Sequence, residues 1–299
     1  MTGAPGKAVQ LKAVPLKTRG AVRELVSQAL RMRRSQVGLA LLVVIVAIAV
    51  FGPLATRYSP TQFVGLSFAH PSAKNWLGTD YLGRDVWSRF LAGGRTLVVL
   101  SLLSTLLGVG AGTLVGVVAG YSLRVADEVL MRFMDLVLAF PPIVLALMCV
   151  AIVGPAGWLI VLVVGISHMP QTARVMRAAV AQVRDLDFIK YAESVGLSRG
   201  RMLREQVLPN VVAPLTVEFG LRLTFSIGLI ASLDYLGLGV QPPNPDWGLM
   251  IQENQSGLNV SPWPVLIAVL AIAVLTVGSN LVTDGFGRAA AGIDRRVDS

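Results

Sequence analysis

Few of the reactive side chains in this sequence are spaced for catalysis. Gly196-Leu197-Ser198-Arg199-Gly200 has the G-x-S-x-G form of a hydrolase nucleophile elbow. That form needs a strand before it and a histidine and an acid nearby. The residues before Gly196 have a helical period and the chain has only two histidines, His70 and His168, so the elbow is rejected. Cys149, the sole cysteine, lies in an apolar run and offers neither a disulfide framework nor a cysteine metal site. His168, near Pro170, is a lone imidazole with no second ligand in sight and reads as a packed, hydrogen-bonded histidine. No catalytic set and no metal site is assigned. Glu218 and Arg222 stand four apart in an apolar run, a spacing that puts them on one helix face and suggests mutual neutralisation. Asp135 begins another run and is expected to pair with Arg132 or with another helix at the membrane edge.

The elements that must hold these groups follow from composition. With 299 residues, 54% of them hydrophobic, and a mean hydropathy of +0.67, the chain is too apolar for a soluble domain and long enough for several membrane spans. The net charge of +9 would suit nucleic acid, but the basic N-terminal arm has no interleaved aromatics, so no nucleic-acid partner is expected. The expected fold class is all-α, a polytopic helix bundle with spans near 37–54, 96–121, 129–153, 158–173, 211–240 and 263–283. The first run follows a long basic tail and reads as an uncleaved anchor. Residues 1–36 are read as a cytosolic tail with Lys7, Lys12, Lys17 and Arg19, ending in an amphipathic helix. Val22, Leu25, Val26, Ala29 and Leu30 share its face, and Arg23, Arg31, Arg33 and Arg34 meet lipid headgroups. Residues 37–299 form the membrane domain. With both termini cytosolic, twenty Lys and Arg fall inside, among them Arg288, Arg295 and Arg296, against five outside; this favours that orientation. Gly108, Gly112, Gly116 and Gly120 recur every four residues, a groove for close helix approach. Pro141-Pro142 must kink or break the third span. Asn254-Gln255-Ser256 and Asn259-Val260-Ser261 have the glycosylation pattern, left bare in a bacterial chain.

Between two long apolar runs lies a charged stretch, residues 185–210, with the form of helix, glycine turn, helix. Asp187 can cap a first rod on which Phe188, Tyr191, Ala192 and Val195 fall at i, i+3, i+4 and i+7. Gly196 stops it. Ser198 can cap a second rod carrying Met202, Leu203 and Val207 among Arg199, Arg201 and Arg204, and Pro209 closes it. Such a rod is too short to stand alone; it lies on lipid or enters a groove on a partner.

These residues resemble the cytoplasmic coupling loop of ATP-binding cassette importer permeases, in which an EAA-type motif is followed by Gly and then Leu-Pro. Here the series is Lys190, Tyr191, Ala192, Gly196, Leu208 and Pro209. Lys190 and Tyr191 stand where the motif has Glu and Ala, and Glu193 comes three places late. A second stretch, HPSAKNWLGTDYLGRDVWSRFLAGGRT from His70, resembles the signature before the second span of the dipeptide, oligopeptide and nickel permeases, in their C-type subunit. Its fixed positions include Gly78, Thr79, Asp80, Gly83, Arg84, Asp85, Ser88 and Arg89. The two glycines permit turns, and Asp80, Arg84 and Asp85 can make local ion pairs; taken from composition alone, they read as an ordinary solvated loop. The stretch from Ser232 through Asp234 and Gly239 to Trp247 and Gly248 is similar to the same family, with Asp234 where a small residue is usual.

The resemblance implies one half of a two-permease pore, importing peptides, nickel complexes or a related solute across the bacterial plasma membrane. It also implies a second homologous permease, two ATPase subunits that carry ATP and Mg, and an extracytoplasmic solute-binding protein. No cofactor is expected on this chain, which has no phosphate-binding Walker loop. Within that frame Glu218, Arg222 and Asp234 become candidates to line the translocation path, and Asp234 could equally be solvated at its rim. An ion-coupled secondary transporter is the alternative, and would depend on Glu218, Arg222 or Asp135 in mid-membrane. An intramembrane hydrolase fails for want of a dyad or metal pair.

Overall fold

The computed structural model of the chain describes residues 26–122 and 124–291. Among them no strand forms beyond two isolated antiparallel bridges, Phe63 with Arg84 and Thr79 with Asp85. Helix α1 (Arg33–Phe51) runs into a short 3-10 turn, Gly52–Ala55, and a segment without helix, residues 56–85, leads to α2 (Val86–Tyr121). Then come α3 (Arg124–Leu138), α4 (Pro142–Val153) and α5 (Gly157–Arg184). The charged loop that follows holds α6 (Asp187–Ser194) and α7 (Arg199–Met202), and its end of the bundle is called the inner end. The chain continues through α8 (Val212–Tyr235), the short α9 (Trp247–Asn254) and α10 (Trp263–Ala291).

Five helices, α1, α2, α5, α8 and α10, are long and apolar enough to cross a membrane, and α3 with α4 makes a sixth crossing only as a pair bent by 76°. The kink or break expected at Pro141-Pro142 is thus present, and it divides the third span into two helices. Pro141 lacks the N–H that would continue α3, and Pro142 opens α4 at its first position, where a missing donor costs nothing. Helix α3 keeps an exposed apolar face, Val125, Val129, Phe133 and Leu136, while Met134 packs inward.

Two other boundaries move. Helix α2 starts at Val86 rather than Thr96, because Asp85 caps it: the Asp85 carboxylate accepts from Ser88 N at 2.8 Å and from Ser88 Oγ at 2.7 Å. Its 36 residues measure about 54 Å, well beyond an apolar core of about 30 Å. Helix α5 runs to Arg184 rather than ending near Ala173, with Arg174 and Arg177 exposed along its second half. Of the N-terminal amphipathic helix, residues 26–31 are helical, with Ala29 buried and Val26 and Leu30 exposed. Lys7, Lys12, Lys17, Arg19, Val22, Arg23 and Leu25, like Arg295 and Arg296, lie outside the described residues.

The glycine groove of α2 is where α5 docks. A Cβ at Gly108, Gly112 or Gly116 would stand 2.5–2.6 Å from the Gly165, Met169 or Ala173 carbonyl oxygen, and one at Gly120 would stand 2.8 Å from that of Arg177. Only hydrogen fits there, so the two backbones touch over four turns. One core, including Ile45, Leu97, Val164, Ile230, Trp247 and Leu275, fills the bundle; a second, Val117, Met176, Val180, Ile189, Met202 and Val207, fills its inner end.

Candidate functional site

The inner core anchors the charged loop. Ile189 of α6 is fully buried against α5 and α2, with Phe188 and Ala192 half-buried beside it. The expected single stripe therefore divides: Tyr191 and Val195 stay 69% and 62% exposed. Gly196 ends the rod at φ +78°, a left-handed conformation that side chains resist, and open space surrounds it. Gly196 N donates to the Glu193 carbonyl at 3.0 Å and Leu197 N to that of Ala192 at 3.1 Å, closing the helix end. Glu193 is itself tethered, its carboxylate accepting from Tyr121 Oη of α2 at 2.7 Å. Lys190 is exposed and sits 3.9 Å from Asp187.

Neither expected cap forms. Asp187 lies in the first turn of α6 and makes no capping bond, and the Ser198 hydroxyl makes none at α7. The second rod is irregular too: one α turn, a π turn at Leu203–Val207, then a 3-10 turn at Leu208–Asn210. Pro209 has no N–H for the Glu205 carbonyl, so the helix cannot continue in register.

In mid-bundle, Arg222 Nε lies 2.8 Å from Glu218 Oε1, as the spacing anticipates. The N–H is not aimed at the oxygen, which makes this an ion pair rather than an aligned hydrogen bond. Thr172 Oγ1 of α5 donates to the same oxygen at 3.2 Å. One turn on, Ser226 Oγ lies 3.0 Å from His168 Nε2 and 3.0 Å from Thr105 Oγ1 of α2, so His168 is the packed, hydrogen-bonded histidine expected. Asp135 pairs with Arg174 of α5, not with Arg132.

The outer segment is not a solvated loop. Asp80, Arg84 and Arg89 are at most 3% exposed, and both arginines reach Glu253 of α9. Arg84 Nε stands 2.6 Å from Asp80 Oδ2, and Glu253 Oε2 receives Arg84 Nη2 at 3.1 Å and Arg89 Nη2 at 2.6 Å. Two cations and two anions leave the cluster neutral, the condition for burying charge. Tyr81 N donates to Asn254 Oδ1 at 3.0 Å and Tyr81 Oη to Glu253 Oε1 at 3.2 Å; burial, then Glu253, pushes the Tyr81 phenol up from its usual value. Thr79 Oγ1 donates to the Leu66 carbonyl at 2.5 Å, and Gly78 and Gly83 turn the chain at positive φ as anticipated. Nothing near Asp80 in sequence pointed to Glu253 or Asn254, which lie over 160 positions away.

Asp234 is neither beside an open path nor solvated at a rim: it is 0% exposed. Its Oδ1 accepts from Val240 N at 2.8 Å, and Gly239 and Gly248 leave no room for a Cβ against it. It lies against Asp246, which caps α9 through Gly248 N at 2.8 Å. Burial first, and Asp234 second, push the Asp246 carboxyl well above the usual range. Asp234 also stands 16 residues from Glu218, about 24 Å along α8, so the three candidates do not form one site. The residues that sequence reading missed, Asp246, Glu253, Tyr121 and Ser226, matter only through partners distant in the chain.

The family model for the binding-protein-dependent transport system inner membrane component matches residues 112–292, from within α2 through α10. The dipeptide transport system permease protein DppC of Alkalihalophilus pseudofirmus is 34% identical over 264 residues, 88% of this chain and 87% of that protein. The glutathione transport system permease protein GsiD of Pectobacterium atrosepticum is 39% identical over 72% of this chain and 71% of its own. The di/tripeptide transport system permease protein DppC of Pseudomonas aeruginosa is 36% identical over 83% of this chain and 84% of its own. Among solved structures, a chain of the inward-facing MetNI methionine ABC transporter shares the fold at a TM-score of 0.52 and 17% identity, covering 66% of this chain and 96% of that one. A bundle of membrane-long helices with a tethered inner loop is what a transport subunit of the inner membrane needs, and the chain belongs to the family of binding-protein-dependent transport system inner membrane components.

Proposed function

We propose that the chain is a permease subunit of an ATP-driven peptide importer, forming half of a translocation pathway whose other half is a second homologous permease. Two separate ATPase subunits, carrying ATP and Mg, close and reopen beneath it, and an extracytoplasmic binding protein delivers the cargo. Both termini and the inner loop face the cytosol, consistent with the excess of basic residues on that side. The observation that carries this reading is the loop geometry. Ile189 and the Tyr121–Glu193 bond fix the rod to α2 and α5. Tyr191 and Val195 are left uncovered, an apolar knob for a groove on another protein. A push on Tyr191, Ala192 or Lys190 is thereby delivered to the long helices, and Leu208 and Pro209 relay it to α8. The outer cluster of Gly78, Thr79, Asp80, Gly83, Arg84 and Asp85 with Arg89 and Glu253 clamps α9 across the outer end, so that inner motion opens a gate instead of loosening the bundle. Glu218 and Arg222 are the path-lining candidates; Asp234 serves the closed outer end.

The test is purification of the intact complex with uptake assays in liposomes. ATPase subunits are expected to co-purify, and peptide uptake to stop when internal ATP is removed. Uptake that survives ATP removal, driven by an ion gradient, overturns the reading in favour of a secondary transporter.

A further inference from the structure

One cavity in the bundle has a charged wall. It measures about 500 Å³ and lies between the start of α4 (Pro142, Ile143), α5 (His168, Gln171) and α8 (Arg222, Gly228). Arg222 is its sole charged lining residue. The ion pair there is lopsided: Glu218 is 4% exposed and held behind the wall by Thr172, whereas Arg222 is 14% exposed. Glu218 takes the Nε side of the guanidinium, and Phe225 lies under its plane, 5.2 Å from ring centre to Cζ. Among the described residues no protein acceptor meets the two terminal nitrogens. A guanidinium edge presenting parallel N–H groups is matched in geometry by a carboxylate.

The Gln171 amide satisfies both of its ends within the protein when its nitrogen donates to the Ser167 carbonyl at 2.8 Å and the His168 carbonyl at 3.2 Å, which leaves Arg222 as the group on this wall that meets a guest. A Cβ at Gly228 would meet nothing within 4 Å, so this wall is open space and not packed core. The volume falls within the range of about 300–1,000 Å³ found for small-molecule sites.

We propose that this cavity is a cargo station on the translocation path, taking the carboxylate of the passing molecule on the terminal nitrogens of Arg222. It rests on the importer reading above and narrows the cargo to carboxylate-bearing molecules. Glu218 weakens the site as well as holding it: a guanidinium already half neutralised binds an anion firmly enough to admit it and loosely enough to release it.

The experiment uses the complete transporter in liposomes, with a panel of radiolabelled di- and tripeptides as cargo. Gly228→Leu fills the cavity without touching the core, and is expected to cut ATP-driven uptake by about tenfold or more, the loss equivalent to one well-made charged hydrogen bond, with complex assembly unchanged. In a Cys149→Ser background, Gly228→Cys is expected to react about tenfold faster with an anionic thiosulfonate than with a cationic one, as a local positive field requires. Dialanine is expected to protect it better than dialanine amide. Adding Glu218→Gln together with Arg222→Gln, which removes both charges and strands neither, is expected to abolish that preference. Wild-type uptake in Gly228→Leu, or equal rates with the two reagents, overturns the station while leaving the importer reading intact. If the wild-type complex imports none of the peptides with ATP, the importer reading fails and this proposal falls with it.

Discussion

Asp246 follows a run of prolines, and nothing in its sequence neighbours singles it out; in the bundle it is fully buried against Asp234 and caps α9. Its folded carboxyl holds its proton well above the ordinary carboxylate range. The unfolded chain therefore releases a proton that the folded chain retains. Stability from this group is complete below about pH 3.9, the ordinary aspartate value, and is lost as pH rises through the raised folded value. We predict that the melting temperature of the purified protein falls on going from pH 5 to pH 9, and that Asp246→Asn flattens the slope. Asparagine keeps the cap to Gly248 N and can donate to Asp234. Buried Trp247, stacked on Phe90 with its Nε1 donating to the Phe90 carbonyl at 2.9 Å, supplies the fluorescence signal. Equal pH slopes in the two proteins would show that the Asp246 carboxyl does not hold its proton in the folded chain.

Among the elements, the inner rod has the clearest mechanical design. It is eight residues long, anchored at Ile189, tethered at Glu193 and ended at Gly196. A β-branched side chain at Gly196 meets open space, so its cost lies in the backbone alone. Holding a non-glycine residue at such a φ costs about 1–3 kcal/mol, enough to tilt the rod or fray its end. Gly196→Val is predicted to lower ATP-driven uptake about tenfold, the equivalent of about 1.4 kcal/mol, while insertion and the yield of folded protein stay near wild type. Normal uptake in this variant counts against the rod as the coupling element. Helix α2 has the opposite design. A Cβ on each of its four groove glycines would stand within 3 Å of an α5 carbonyl oxygen, which makes the α2–α5 pair a closely packed unit.

For the molecule as a whole, the two ends are built differently. The inner end is an apolar plug, Val117, Met176, Val180, Ile189, Met202 and Val207, beneath a basic surface. The outer end is a neutral clamp of buried charges and a carboxyl pair that hold α9 against α2, α8 and the outer segment. Apolar contacts can slide and repack, whereas removing one partner from a buried charge cluster costs about 3–5 kcal/mol. On the proposed orientation, a cysteine at Lys190 in a Cys149→Ser background is predicted to react with a membrane-impermeant maleimide only after the cells are opened. Labelling in intact cells would invert the molecule and remove the coupling loop from any cytosolic ATPase.

The sequence by itself determined the class of the protein. Apolar runs of span length, the four-residue glycine period, Glu218 and Arg222 one turn apart, and the Gly196 stop all act over a turn or two, and such local signals are written in consecutive residues. It also carried, by resemblance in residues 70–96 and 190–209, the transport reading that the family match bears out. Only the tertiary structure decided where charge is buried. Whether Asp80 is solvated depends on Glu253, whether Asp234 faces water depends on Asp246, and whether Tyr191 or Ile189 turns inward depends on α5. Electrostatic environment is set by distance in space, and a bundle brings together side chains that the chain keeps far apart.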